Sequence, residues 1–214
     1  MNIKKQFILF IAIFLISSCS QKKEIELEDA LENMGAQMAN ELKDAIELLS
    51  KTQDKYRCLI ITGAGRGFCS GGNVAWIDEN QESKRAGDTV EHGVSLGTHH
   101  HHVLKLLKQL SIPIITAVNG PTAGIGLSYA LAGDIIVAAS SAFFVASYRN
   151  IGISADGGAS WTLPRYIGWA RAKELLLLGN RLPAPKALAW GLINRVFSDD
   201  CSVFLLTSQL QKHS

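Results

Sequence analysis

The sequence predicts an α/β fold with largely parallel strand pairing, and three observations carry that expectation. Short apolar runs at residues 58–62, 114–118 and 135–139 have the length and Ile/Val content of strands. Helical patterns separate these runs, and strands alternating with helices imply crossover connections. Clusters of small residues follow the first two runs, GAGRG at 63–67 and NGPTAGIG at 119–126. The 214 residues are 47% hydrophobic and 19% charged, enough apolar surface for one packed domain and too much for a disordered chain.

Taken in order, the chain starts with Lys4-Lys5, an apolar run over 7–16 and then Ser17-Ser18-Cys19. A basic start, a short apolar centre and a small-residue end describe a secretory signal, and the run is too short for a membrane-spanning helix. Its ending is similar to a bacterial lipobox in which Cys19 would be lipidated; a wrongly chosen start or a buried helix are the plainer alternatives. The signal reading sets residues 1–19 apart from a core at 20–198 and a short tail at 199–214. From Leu27 apolar residues recur at Leu31, Met34, Met38, Leu42, Ile46 and Leu49, the spacing of a helix with one buried face. After a polar break at 51–57 comes the strand at 58–62, and the polar stretch 78–88 reads as a loop. A helix over 102–110, the strand 114–118, a helix over 127–132 and the strand 135–139 follow. A short strand at 143–145, helices at 170–178 and 184–190, and a closing strand at 193–197 complete the pattern.

Composition excludes several functions. A net charge of +2 with scattered Lys and Arg offers no basic stripe, so nucleic acid is not an expected partner. Cys19, Cys58, Cys69 and Cys201 form no CxxC pair, which argues against a zinc cluster or disulfide framework. The run His99–His102 suggests metal ligands, but on a helix only His99 and His102 share a face, and no metal site is expected there.

Three stretches have the composition of a reactive site. GAGRGF is G-x-G-x-G, with Phe68 where the dinucleotide fingerprint needs glycine, so nucleotide binding is disfavoured. In NGPTAGIGLSYALAGD a strand ends, glycines follow and a helix begins near Gly126. The first N–H groups of a helix lack internal partners and favour negative charge, so an oxyanion hole and simple close packing are both open readings. In ISADGGASW, Asp156 stands among apolar residues before Gly157-Gly158. Such a carboxyl is suited to proton transfer, and capping a turn is its ordinary alternative.

Together the stretches ITGAGRGFCSGGNV, PIITAVNGPTAGIGLSYALAGDIIVAA and GISADGGASWTLPRYIGWARAKELLLLGNRLPAPKALAWGLINRVF resemble the crotonase superfamily, the enoyl-CoA hydratase/isomerase family, over about residues 28–197. The resemblance implies a spiral of ββα units, here without the family's first hairpin and most of its C-terminal helices. It implies an acyl-CoA thioester as partner, with coenzyme A as part of the substrate and no separate cofactor, and assembly as a homo-oligomer, a trimer or hexamer. It places oxyanion donors at the N–H groups of Gly72 and Ile125. Hydratases carry glutamates where this chain has Ser128 and Tyr148, whereas isomerase-type members place an aspartate where it has Asp156. An enoyl-CoA isomerase with Asp156 as acid/base is therefore expected. Hydratase-type chemistry, aspartate-nucleophile dehalogenation and a non-catalytic CoA-ester binder are the alternatives. The resemblance puts Ala64, Phe68, Ser70, Gly71, Gly124, Gly126, Ser128, Tyr148 and Trp161 around the substrate. Asn73 and Ala155 depart from the usual Asp and Pro. CoA chemistry points to the cytoplasm, the Cys19 segment to a membrane anchor.

Overall fold

The structure, a computed structural model, describes residues 11–17, 22–26, 34–71 and 90–199. Its frame is a six-stranded sheet in the order β2-β1-β3-β4-β6-β9. The strands are β1 (Ile11–Ser17), β2 (Lys22–Glu26), β3 (Tyr56–Gly63), β4 (Ile114–Val118), β6 (Ile135–Ala139) and β9 (Arg195–Phe197). From β3 to β9 every pairing is parallel, with Leu59 opposite Ile114 and Ile115 opposite Ile135. Parallel strands are covered on both faces, which is why β3 and β4 read as unbroken apolar runs and not as alternation. A second, three-stranded sheet joins β5 (Thr122–Ala123), β7 (Phe143–Val145) and β8 (Leu182–Pro183).

The sheet opens with an antiparallel hairpin. β1 pairs with β2 on one side and with β3 on the other, so it is an inner strand. The hairpin's first strand, β1, takes up residues 11–17 of the run read as the apolar centre of a signal. An apolar run of that length fits a buried strand as well as a signal, and the sequence pattern alone does not separate them. Cys19, Leu27, Leu31 and the expected loop at 78–88 lie outside the described residues, as does the tail beyond Asp199.

Helices α1 (Met34–Ser50) and α2 (Val90–Gln109) pack on one face of the sheet. Their buried residues keep helical spacing: Ala39, Leu42, Ile46 and Leu49 on α1, and His100, Val103, Leu104 and Leu107 on α2. α2 starts twelve residues before the expected 102, so the histidine run lies well inside a helix. With Leu59, Ile61 and Phe68 these residues form the main core, while Ile60, Ile115, Ala117 and Val137 form a smaller one. The remaining helices are α3 (Ile125–Ala130), α4 (Ala159–Leu178) and α5 (Ala184–Trp190). α4 is two helical limbs that meet at Gly168, whose φ of 78° and ψ of 161° are not helical. Only the second limb matched the predicted helix at 170–178, because GGASWTLPR carries the glycines and proline of a loop.

The GAGRG turn is closed on itself. A Cβ on Gly63 would lie 2.1 Å from the Gly67 carbonyl oxygen, and one on Gly120 would lie 2.1 Å from that of Arg66. Asn119 ties the knot: its Oδ1 accepts from the Gly63 N–H at 3.0 Å, and its Nδ2 donates to the carbonyls of Gly65 at 3.0 Å and Gly67 at 3.3 Å. Close backbone packing explains these glycines, so they need no bound phosphate.

Candidate active site

Three chain segments meet at the start of α3. The Cys69 carbonyl accepts the Ala123 N–H at 2.8 Å, and Cys69 bridges in parallel to Thr122. A Cβ on Gly126 would stand 2.5 Å from the Cys69 carbonyl oxygen, so only glycine admits the loop this close to the helix. Gly71 sits beside Ala123 and Gly124, a Cβ built on Gly124 falling 3.7 Å from the Gly71 Cα. The third segment arrives at Gly157, where a Cβ would lie 2.5 Å from the Ser128 Cβ and 2.7 Å from the Ile125 Cδ1. Gly71 and the start of α3 thus stand on adjoining backbone. As the first helical residue, Ile125 has an N–H without an acceptor in the preceding turn. Gly72 itself lies outside the described residues.

Asp156 is half-buried beside this junction. Its Oδ1 accepts a hydrogen bond from the Tyr148 hydroxyl at 2.7 Å. Its backbone carbonyl accepts from the Ser128 hydroxyl at 2.9 Å and from the Ala159 N–H at 3.0 Å. Removal from water raises the Asp156 pKa above the usual carboxylate range, opposed by the Tyr148 hydrogen bond and by the neighbouring His101. Tyr148 is buried in a 3-10 turn (Ser147–Ile151), and burial and the nearby carboxylate push its own pKa far up, so its hydroxyl stays a donor. Cys69 is fully buried with its pKa pushed up to about 11 by desolvation, an inert thiol.

A cavity of about 590 Å³ opens next to Ser128 and Gly157. Its walls include Leu104, Lys105, Leu131, Trp161 and Arg165. Trp161 is 67% exposed and carries the Arg165 guanidinium 3.2 Å from its ring centre. Of the residues expected around the substrate, Ser128 and Tyr148 hydrogen-bond to Asp156, Ser128 and Trp161 line the cavity, and Gly71 and Gly124 adjoin each other at the start of α3. Gly126 contributes through its close approach to Cys69. Phe68 is fully buried in the main core, and so is not a wall of the cavity. Ala64 belongs to the turn tied by Asn119, and Ser70 is exposed in the loop beside Gly71. Sequence reasoning missed His101, whose Nε2 accepts the Gly157 N–H at 2.9 Å. The neighbouring His100 is buried with its Nδ1 2.8 Å from the Tyr129 hydroxyl. Among the described residues no group of three His, Cys, Asp or Glu side chains gathers as for a metal ion.

Comparison with known proteins gives this arrangement a context. The sequence profile of the Enoyl-CoA hydratase/isomerase family matches residues 24–210, most of the chain. The chain belongs to the enoyl-CoA hydratase/isomerase family. The 1,2-epoxyphenylacetyl-CoA isomerase of Escherichia coli (strain K12) is 40% identical over 182 residues, 85% of this chain and 66% of that protein. The 4-chlorobenzoyl coenzyme A dehalogenase-2 of an Arthrobacter species is 34% identical over 164 residues, 77% of this chain and 58% of that protein. A crystal structure of an enoyl-CoA hydratase from Polaromonas sp. JS666 superposes with a TM-score of 0.78 at 31% identity, covering 92% of this chain and 76% of that one. The crotonase-type fold is therefore shared with these relatives. The chain spans just under two thirds of the length of the isomerase it matches and less of the dehalogenase.

Proposed function

We propose that this family member acts on an acyl-CoA thioester and moves a carbon–carbon double bond by proton transfer through Asp156. One observation carries the reading. Of the three positions where the family keeps its acid/base carboxylates, Ser128, Tyr148 and Asp156, only Asp156 can ionise as a carboxylate, and the other two hold it by hydrogen bonds. A single carboxylate that takes a proton from one carbon and returns it to another suffices for isomerisation. Hydration in this family calls on a pair, one to activate water. The Ile125 N–H, together with that of Gly72, would receive the thioester oxygen as it gains negative charge; each such donor is worth ~3–4 kcal/mol in the transition state. Coenzyme A enters as part of the substrate, and the reading calls on no further cofactor. Exposed Trp169, Leu177 and Leu178 on α4 support self-association, for which sedimentation equilibrium is the measurement.

The test is a panel of 2-enoyl-, 3-enoyl- and aryl-CoA thioesters, read for movement or hydration of the double bond. Double-bond migration by the wild type and its loss in Asp156→Asn are expected. Hydration without migration would refute isomerisation, and tight CoA-ester binding without turnover would point to a non-catalytic binder. The panel includes 4-chlorobenzoyl-CoA, because chloride release would make Asp156 a nucleophile in place of a proton carrier.

A further inference from the structure

We infer that His101 is a positioning residue for Asp156, with its neutral Nε2 acting as the acceptor that fixes the Asp156–Gly157 peptide plane. The kinetic part of this inference rests on the proposed function; its structural part does not. The peptide unit is held at both poles. Its N–H donates to His101 Nε2 at 2.9 Å, and its C=O accepts the Ser128 hydroxyl at 2.9 Å. The Asp156 carboxylate is held separately by Tyr148 at 2.7 Å. Three elements, α2, α3 and the 3-10 turn, each supply one of these bonds. Gly157 has a φ of 56° and is wedged against Ser128 and Ile125, so nothing but glycine fills that position and its backbone alone must be oriented. Without the acceptor on α2 the plane can turn, and the carboxylate turns with it.

The acceptor role requires the tautomer with its proton on Nδ1. A second proton, added at Nε2, would set one donor against another and break the bond. It would also place a positive charge beside Asp156, which favours the ionised carboxylate and opposes proton uptake. Acid therefore loosens the turn and weakens Asp156 as a base at the same time. The charged and titratable groups around His101 are Asp156 in the turn, Tyr148 behind it, Lys105 and Lys108 on its own helix, and Arg165 and Tyr166 across the cavity. His100 and His102 flank it in sequence. Because His101 is exposed, its replacement should leave the core intact.

The first readout needs no turnover. In the full chain labelled with 15N-histidine and 15N-glycine, His101 is expected as the Nδ1–H tautomer, and the Gly157 amide resonance should move as the imidazole takes up its second proton. An Nε2–H tautomer would overturn the inference whatever the enzyme does. The second readout compares two variants on the best substrate. His101→Leu should lower kcat about 10- to 100-fold with little change in KM, the scale of a small misplacement of a catalytic group. His101→Gln, whose Oε1 accepts but does not titrate, should recover most of kcat and lose the imidazole's part of the acid-side decline. Full kcat in the Leu variant overturns the positioning role. If the wild type turns over nothing, the proposed function fails and the tautomer alone decides this inference.

Discussion

Replacing Tyr148 with phenylalanine removes one oxygen from a side chain that is 4% exposed, so the ring still fills its place and the fold is retained. What is lost is the 2.7 Å hydrogen bond to Asp156 Oδ1. A hydrogen bond to a charged group contributes about 1.5–3 kcal/mol, and it is made mainly to the ionised carboxylate. Its removal shifts the balance between ionised and protonated Asp156 roughly 10- to 100-fold toward the protonated form, at about 1.4 kcal/mol per factor of ten. Burial already raises the Asp156 pKa and Tyr148 opposes that rise, so Tyr148→Phe must raise it further. The acid limb of the rate profile should move to higher pH, and so should the midpoint of the Asp156 carboxyl carbon followed by 13C NMR. The NMR titration reads the effect even in a protein without turnover. An unchanged midpoint would refute the claim that Tyr148 stabilises the charged form.

Two further substitutions probe stability. The raised pKa of Asp156 means that the folded chain holds this proton more tightly than the unfolded one, so its contribution is present in acid and is lost as pH rises through the folded value. Asp156→Asn should therefore melt above wild type in mildly alkaline buffer, with the difference shrinking in acid; a gap that does not vary with pH would contradict the desolvation argument. Asn119→Ala removes three hydrogen bonds from the GAGRG turn and should cost about 1.5–4 kcal/mol in urea unfolding. A loss within measurement error would show that the turn closes without its asparagine.

Much of the frame was legible because strand-length apolar runs ending in small residues leave few choices. Strands at 58–62, 114–118 and 135–139 fall within or on β3, β4 and β6. Elements whose local composition argues against them were not legible. The first limb of α4 contains Pro164 and follows two glycines with positive φ, and α2 begins among polar residues before His99. β1 escaped because a signal's apolar centre and an inner strand share one pattern. Within the site, Asp156 stood out by its apolar neighbours, but spacing could not separate proton carrier from turn cap. Its backbone carbonyl does accept the Ala159 N–H, and its side chain turns instead to Tyr148. His101 was hidden in a run of four histidines, whose distinct contacts with Tyr129 and Gly157 arise only from the docking of α2.

The backbone junction at the start of α3 and the wall of the cavity have unequal freedom to change. Around Cys69, Gly126 and Gly157 the backbone segments touch so closely that adding one methyl group would force them apart. Trp161, Lys105 and Arg165, in the cavity wall, face outward and bear little of the interior's weight. The lining of the cavity can therefore be varied there by single replacements that leave folding untouched. The backbone junction would have to be rebuilt several segments at a time.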